Sequence, residues 1–323
     1  MGRLFSIGEV LIDFIPLQKG IALKDVQSFE RAPGGAPANV AAAVAKYGAE
    51  SSMITKLGMD AFGDFLIEQL QQVGVKTDKI KRTKEANTGL AFVSLREDGE
   101  RDFSFYRNPS ADLLLSEDEI EENWFEKGDI LHFCSVDLVE SPMKKAHEKA
   151  VRLVKENGGI ISFDPNVRLP LWNSAEECRQ TILEFIPKAH IIKISDEELE
   201  FITGISNEKK AIESLFTGDV KAVIYTKGAK GADLYTKNKK YESTGYKVEV
   251  QDTTGAGDAF IGGFLYKLLE KEVNYDNLVD VLDDHHQEIL SFANASGAIT
   301  TTGKGAISSI PTKEKIDNFI NNQ

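Results

Sequence analysis

The residues with the most chemical potential gather in Asp252-Thr253-Thr254-Gly255-Ala256-Gly257-Asp258-Ala259-Phe260, which runs on into Ile261-Gly262-Gly263-Phe264. A carboxylate sits here inside a small-residue turn that opens a helix. Backbone N–H groups of Gly255, Ala256 and Gly257 can converge on an anion, and the helix presents the positive end of its dipole to the same point. Glycine suits the place because a phosphate must approach the backbone with no Cβ in the way. Asp258 then stands where charge develops, in reach of the proton of an attacking hydroxyl. The set suits phosphoryl transfer, with Asp258 as general base and the 255–258 backbone as anion hole. Taken alone, the string is equally a glycine-containing loop ahead of a core helix.

A second string, Gly34-Gly35-Ala36-Pro37-Ala38-Asn39-Val40-Ala41, lies far upstream and is followed by Gly48 and Gly58. The two strings, in this order, resemble the amino-terminal and carboxy-terminal signatures of the PfkB (ribokinase-like) sugar kinases. The resemblance runs from Ile7-Gly8-Glu9 to Lys304-Gly305-Ala306, nearly the whole chain. Within the family, Phe105-Tyr106-Arg107-Asn108-Pro109-Ser110-Ala111-Asp112 and Phe163-Asp164-Pro165-Asn166-Val167-Arg168-Leu169-Pro170-Leu171-Trp172 look most like fructokinases. The resemblance implies one ribokinase-like domain over residues 1–323, a three-layer α/β sandwich with a largely parallel central sheet. A small β lid, inserted from about 13–31 and 90–107, would cover the sugar and supply a homodimer contact. It implies transfer of the γ-phosphoryl group of ATP to the 6-hydroxyl of D-fructose, with Mg²⁺ and K⁺. The neighbouring substrate choices are 2-keto-3-deoxygluconate and ribose. A non-catalytic relative that binds sugar or nucleotide is disfavoured, because the acidic base and the anion-hole glycines are intact.

A polyol needs short polar groups that make paired hydrogen bonds, and Asp13, ending an early strand-like run, is placed for that. Gly34, Gly35 and Asn39 match family positions that contact substrate hydroxyls; Asn39 reads alternatively as a helix-start residue. Phe103, Tyr106 and Arg107 belong to the lid, Phe103 being equally a structural hairpin residue. Arg168 follows Asp164-Pro165-Asn166, where Pro165 enforces an extended backbone at Asp164. Its guanidinium either bridges sugar and transferring phosphate or forms a structural ion pair. A ketodeoxyacid would need cations at its carboxylate, which Arg107 and Arg168 could supply.

On the ATP side the resemblance places Asn166 and Lys193, together with Ser195 and Glu198, which occupy the family's Asn-x-x-Glu motif; Ser195 stands where the family has Asn. Glu198 would act on Mg²⁺ through water. Thr226, Gly228 and Gly231, in Thr226-Lys227-Gly228-Ala229-Lys230-Gly231, resemble the phosphate-side loop. Asn294, followed by Ser296-Gly297-Ala298, fits the adenine wall, or else a small-residue helix packed closely on its neighbour. Asp252 and Thr254, with carbonyls of the Thr301–Gly305 turn, match a monovalent-cation loop. No GxxxxGK[ST] or GxGxxG string supports a Walker-type ATPase or a dinucleotide-binding dehydrogenase.

The elements that must position these residues are legible as alternation. Apolar runs at Leu4–Ile7, Ile130–Phe133, Ile160–Phe163, Ile191–Ile194 and Ala222–Tyr225 read as strands covered on both faces. Helix spacing separates them at Pro142–Glu156, Ala175–Phe185 and Ala259–Leu269. Such an order implies a parallel sheet with ligands beyond the carboxyl ends of its strands. Two β-rich excursions interrupt it, the second with an Asp98-Gly99 turn and with Phe103 and Phe105 alternating against Ser104 and Tyr106. Ser116 to Glu122 reads as a capped, solvated helix start.

Composition bounds the rest. A chain of 323 residues with 41% hydrophobic and 28% charged residues is globular, and no apolar run is long enough for a bilayer. A net charge of −13 argues against nucleic acid as a partner. Cys134 and Cys178 have no metal spacing and read as reduced thiols, and the adjacent His285 and His286 as surface residues. No basic region with a cleavage site opens the chain, so a cytoplasmic location is expected. Met1-Gly2-Arg3-Leu4-Phe5-Ser6 fits a loose myristoylation pattern, but Arg3 to Gly8 reads as the first buried strand.

Overall fold

The computed structural model describes residues 2–18, 20–95 and 101–323, without the side chains of 94, 95 and 101–103. β1 (Leu4–Ile7) leads into β2 (Leu11–Pro16) and β3 (Phe29–Gly34), and the chain turns at Gly35 into α1 (Ala36–Lys46). β4 (Ser51–Gly58), α2 (Ala61–Gln72) and β5 (Ile80–Thr83) follow, then β6 (Leu90–Leu95) and β7 (Arg101–Tyr106). Next come β8 (Ile130–Cys134), α3 (Pro142–Glu156), β9 (Ile160–Asp164), α4 (Ala175–Phe185), β10 (Ile191–Ser195), α5 (Asp196–Thr203), α6 (Glu208–Ser214) and β11 (Ala222–Thr226). The hairpin β12 (Ala232–Thr236) and β13 (Lys240–Ser243) precedes α7 (Ala256–Glu270), α8 (Leu278–Thr300), α9 (Ala306–Ser309) and α10 (Lys313–Asn321).

All five apolar runs are strands, and β8 and β9 are buried at every residue, as strands covered on both faces must be. Among the described residues the large sheet has nine strands in the order β13-β12-β11-β10-β9-β8-β1-β4-β5. It is parallel from β5 to β11 and antiparallel only at the β11-β12-β13 edge. One apolar core joins α1, α7 and α8 to one face, and a second joins α3, α4 and α5 to the other. The result is the expected three-layer α/β sandwich. Small residues let α7 approach closely: a Cβ on Gly262 would stand 2.6 Å from that of Ala43 on α1. Strand order reverses around β1, which lies between β4 and β8, so a crevice opens at the carboxyl ends of these strands.

A separate four-stranded sheet, β3-β2-β6-β7, grows from the bend after β1. It accounts for both β-rich excursions, whereas the expected Asp98-Gly99 turn lies outside the described residues. On one face Phe14 stacks on Phe92 at 4.7 Å, with Phe29 and Tyr106 edge-on to Phe92. The expected helix start at Ser116 is corrected to a single 3-10 turn, Glu117–Glu119, which Ser116 and Glu119 cap reciprocally. Cys134 and Cys178 are buried and free. Among the described residues no helix is long and apolar enough to cross a membrane.

Candidate active site

Asp258 lies in the first turn of α7, 8% exposed. Gly255, the residue before that helix, has φ +76°, and a Cβ there would come within 2.6 Å of the Ala306 Cβ. Only glycine makes this turn without strain. No side chain caps α7, and Thr253, Thr254, Gly255, Gly257 and Asp258 line a cleft of about 410 Å³, whereas the Ala256 N–H donates to the Thr253 carbonyl at 3.3 Å and Ala256 is not among the lining residues. A helix start of this kind can receive an anion beside a carboxylate.

The Asp258 carboxylate is held on both oxygens. Asn39, on α1, donates from Nδ2 to Oδ2 at 2.8 Å, and Asn166, after β9, reaches Oδ1 from Nδ2 at 3.4 Å. Burial raises the Asp258 pKa; the Asn39 hydrogen bond and the charges of Lys193 and Arg168 oppose this without cancelling it. A carboxylate above its ordinary range is the better proton acceptor. Lys193, on β10, is buried and paired with Asp164 at 2.9 Å. Burial pushes Asp164 up to about 6 despite that pairing. For Lys193, desolvation is the largest single influence and lowers its pKa, but the charges of Asp164 and Glu198 together hold it above its usual range. Arg168 is exposed on the cleft rim, where Nη1 donates to the Val167 carbonyl at 3.0 Å. It has no carboxylate partner among the described residues.

The other end of the cleft is formed by Glu9, Leu11, Asp13, Gly35, Asn39 and Phe105. Glu9 Oε1 accepts the N–H of Ala36, the first residue of α1, at 2.9 Å, which bonds the bend after β1 to the glycine turn. Gly34 carries no side chain because a Cβ would collide with the Asp13 carboxylate, and one on Gly35 would collide with the Glu9 carbonyl. Two expected sugar contacts, Arg107 and Tyr106, do not line this cleft. Arg107 is buried and taken up by Asp112 and Asp137, so its guanidinium is not offered to the cleft. Tyr106 is 64% exposed on the aromatic face of the small sheet. Strand alternation sends its neighbour Phe105 inward instead. Phe103 pairs in register with Val93, and its side chain lies outside the described residues.

On the phosphate side, Ser195 and Glu198 form the capping box of α5. Glu198 Oε2 accepts from Ser195 N at 3.0 Å and Oγ at 2.7 Å, and Oε1 accepts from Val167 N at 2.7 Å. Burial would raise its pKa, but Lys193 and these donors bring it below the usual range. Glu198 therefore stays ionised, with lone pairs left for water. Asp252 ties two loops together: Oδ1 takes Thr254 N at 2.9 Å and Oγ1 at 2.6 Å, and Oδ2 takes Gly305 N at 3.0 Å. Thr226, Gly228 and Gly231 form the β11–β12 turn, with φ +53° and +97° at the two glycines. Asn294, on α8, donates to Ser243 Oγ at 2.9 Å. These four residues do not line the cleft that holds Asp258. The small residues Ser296 and Gly297 pack α8 on α7: Ser296 Oγ donates to Ala259 O at 2.8 Å. Among the described residues no His, Cys, Asp and Glu cluster suited to a metal occurs.

Sequence reasoning missed Glu9, Phe105, Val136 and Leu171 as cleft residues. Glu9 had a signal, since it follows a buried strand at the end where ligands gather, and Phe105 had its alternation. Val136 and Leu171 are apolar loop residues with nothing local to single them out.

The family model for pfkB family carbohydrate kinases matches residues 1–313. Fructokinase-2 of Solanum lycopersicum is 45% identical over 316 residues, covering 96% of this chain and 94% of that protein. The structure of a fructokinase with bound ATP from Xylella fastidiosa superposes with a TM-score of 0.90 at 34% identity, covering 99% of this chain and 98% of the other. A Vibrio cholerae fructokinase double mutant, in its fructose-, ADP- and potassium-bound form, gives a TM-score of 0.87 at 35% identity, with 99% and 98% coverage.

Proposed function

The chain belongs to the pfkB family of carbohydrate kinases, and on that premise we propose that it is an ATP-dependent fructokinase acting on the 6-hydroxyl of D-fructose. The observation that carries this reading is Asp258: a buried carboxylate with a raised pKa, beside uncapped N–H groups at the start of α7 and inside a cleft with polar groups at its far end.

With the sugar held by Asp13, Asn39 and the Gly34-Gly35 turn, its 6-hydroxyl loses its proton to Asp258 as the oxygen attacks the γ-phosphorus. The bond from that phosphorus to the β-bridging oxygen breaks, and ADP leaves with the electron pair. Charge on the transferring group meets the backbone of 255–257, Lys193 and Arg168. ATP would lie along Ser195 and the Thr226–Gly231 turn toward Asn294. Glu198 would hold Mg²⁺ through water, and Asp252, Thr254 and the carbonyls of 301–305 would hold K⁺. These ions would supply charge screening for the phosphates and for the loop behind them.

Capture of Arg107 by Asp112 and Asp137 favours a neutral sugar over a ketodeoxyacid, since the lid arginine is no longer available to meet a carboxylate. We read residues 1–323 as one kinase domain whose small sheet closes over the sugar. The exposed Tyr106 of that sheet and Leu17, just after β2, would face a second copy, in the cytoplasm.

Coupled ADP release with ATP, Mg²⁺ and K⁺, across fructose, ribose, glucose and 2-keto-3-deoxygluconate, tests the reading. Fructose-dependent turnover that Asp258→Asn abolishes supports it. Turnover confined to another sugar replaces the substrate, and no turnover with any sugar overturns the activity.

A further inference from the structure

We infer that Asn166 positions the base: its amide and that of Asn39 hold the Asp258 carboxylate from opposite oxygens. The inference rests on the kinase reading of Asp258.

Asn166 has φ +45°, a left-handed conformation that a residue other than glycine adopts at a cost. The neighbouring groups are tied so as to hold it there. The Pro165 carbonyl accepts from both Ser135 N, at 3.1 Å, and Ser135 Oγ. Asn166 N donates to Asp164 Oδ1 at 3.2 Å, and Asp164 is anchored by Lys193 at 2.9 Å. Val167 N donates to Glu198 Oε1 at 2.7 Å. The backbone groups of the turn are therefore satisfied by Asp164, Glu198 and Ser135, and the Asn166 amide is directed to Asp258 Oδ1 at 3.4 Å. Asn39 alone, on Oδ2, would leave the carboxylate plane to a broad terminal torsion. A second amide on the other oxygen removes that freedom. The contact is long in the free protein, as catalytic hydrogen bonds often are before substrate binds.

Other charged or titratable groups facing Asp258 are Lys193 on β10, Arg168 in the same loop, Asp164 on β9 and Cys134 on β8. Each is left in place by the following test. Asn166→Gly accepts the backbone conformation and deletes the amide, while Asn166→Asp keeps the shape and turns the donor into a like charge. With the full chain, kcat, both KM values and the pH dependence of kcat/KM for the sugar are measured.

Positioning predicts that Asn166→Gly lowers kcat by about 10- to 100-fold, with the KM for ATP changed less than about two-fold. The acid limb moves to higher pH because the carboxylate loses a donor, and further in Asn166→Asp. A raised KM for ATP with kcat and the pH profile unchanged would make Asn166 a nucleotide contact and overturn the inference. A lowered melting temperature with unchanged kinetics would make its role structural and overturn the inference equally. If the wild-type chain turns over no sugar, the kinase reading falls and takes this inference with it; a normal wild-type rate beside a normal Asn166→Gly rate sinks the inference alone.

Discussion

The role proposed for Asp258 asks it to be both buried and basic, and the two demands pull against each other. Burial raises its pKa, so between the ordinary carboxylate value and the raised one the folded chain binds more protons than the unfolded chain. Stability therefore falls as pH rises through that window, and the deficit persists at neutral pH. Asp258→Asn removes the buried charge, and Asn39 Oδ1, which has no hydrogen-bond partner, can turn to accept from the new amide. The variant is expected to lose about 10²- to 10⁴-fold in kcat yet melt at or above the wild-type temperature at pH 7. That advantage should shrink as the pH is lowered. Parallel activity assays and melting curves from pH 4 to about pH 8 check both halves. Arg107 is the opposite case. It compensates Asp112 and Asp137 in a site it shares with Glu9, where burial pushes Asp137 up to about 7 even with the guanidinium beside it. Arg107→Leu strands these acids, at a cost of about 3–5 kcal/mol, and chemical denaturation should show the loss. Lysine should not restore stability fully, because a point charge cannot serve two carboxylates as a planar fork does.

At the scale of elements, the start of α7 is a tightly constrained turn of the cleft. Gly255→Ala must take a methyl at φ +76° against Ala306 on α9. Strain of about 1–3 kcal/mol is expected, and the helix start should retreat from the cleft. Both kcat and the affinity for ATP should fall, since the N–H groups of this turn serve ground state and transition state alike. Steady-state kinetics with a melting curve read the two effects together. Gly48→Ala is a comparison: φ is also positive, +100°, but nothing lies within 4 Å of the added methyl. It should cost stability through the backbone alone and leave kcat unchanged. The loop from Asp164 to Arg168 works by the same logic, with contacts from Ser135 just after β8, from β10 and from α5 setting where Asn166 and Arg168 stand.

For the whole molecule, the cleft joins the large sheet, the small sheet, α1 and α7, so ligands that bridge them should stabilise the fold as a unit. Fructose together with ATP and Mg²⁺ is expected to raise the melting temperature. At about 100 times a dissociation constant the gain is about 2.7 kcal/mol. A dye-based melt with each ligand alone and combined measures it, and Asp258→Asn, which keeps the pocket, should retain the shift. How far this was legible beforehand follows from what kind of interaction each feature needs. The five buried strands and the helices at Pro142–Glu156 and Ala175–Phe185 are local patterns, period two or 3.6, and the sequence alone determined them. The Gly255–Asp258 turn was legible in the same way, because glycine is the residue that takes a positive φ without strain. Arg107 and Tyr106 could not be placed this way. Arg107 is a lid cation until the fold brings Asp137, from beyond β8, against it, and which of Phe105 and Tyr106 faces inward depends on how β7 lies over the cleft. Asn166 shows the limit most clearly. Its neighbours in sequence suggest a turn, but its amide meets Asp258 from 92 positions away, a contact that only the tertiary placement of the loop after β9 beside the first turn of α7 decides.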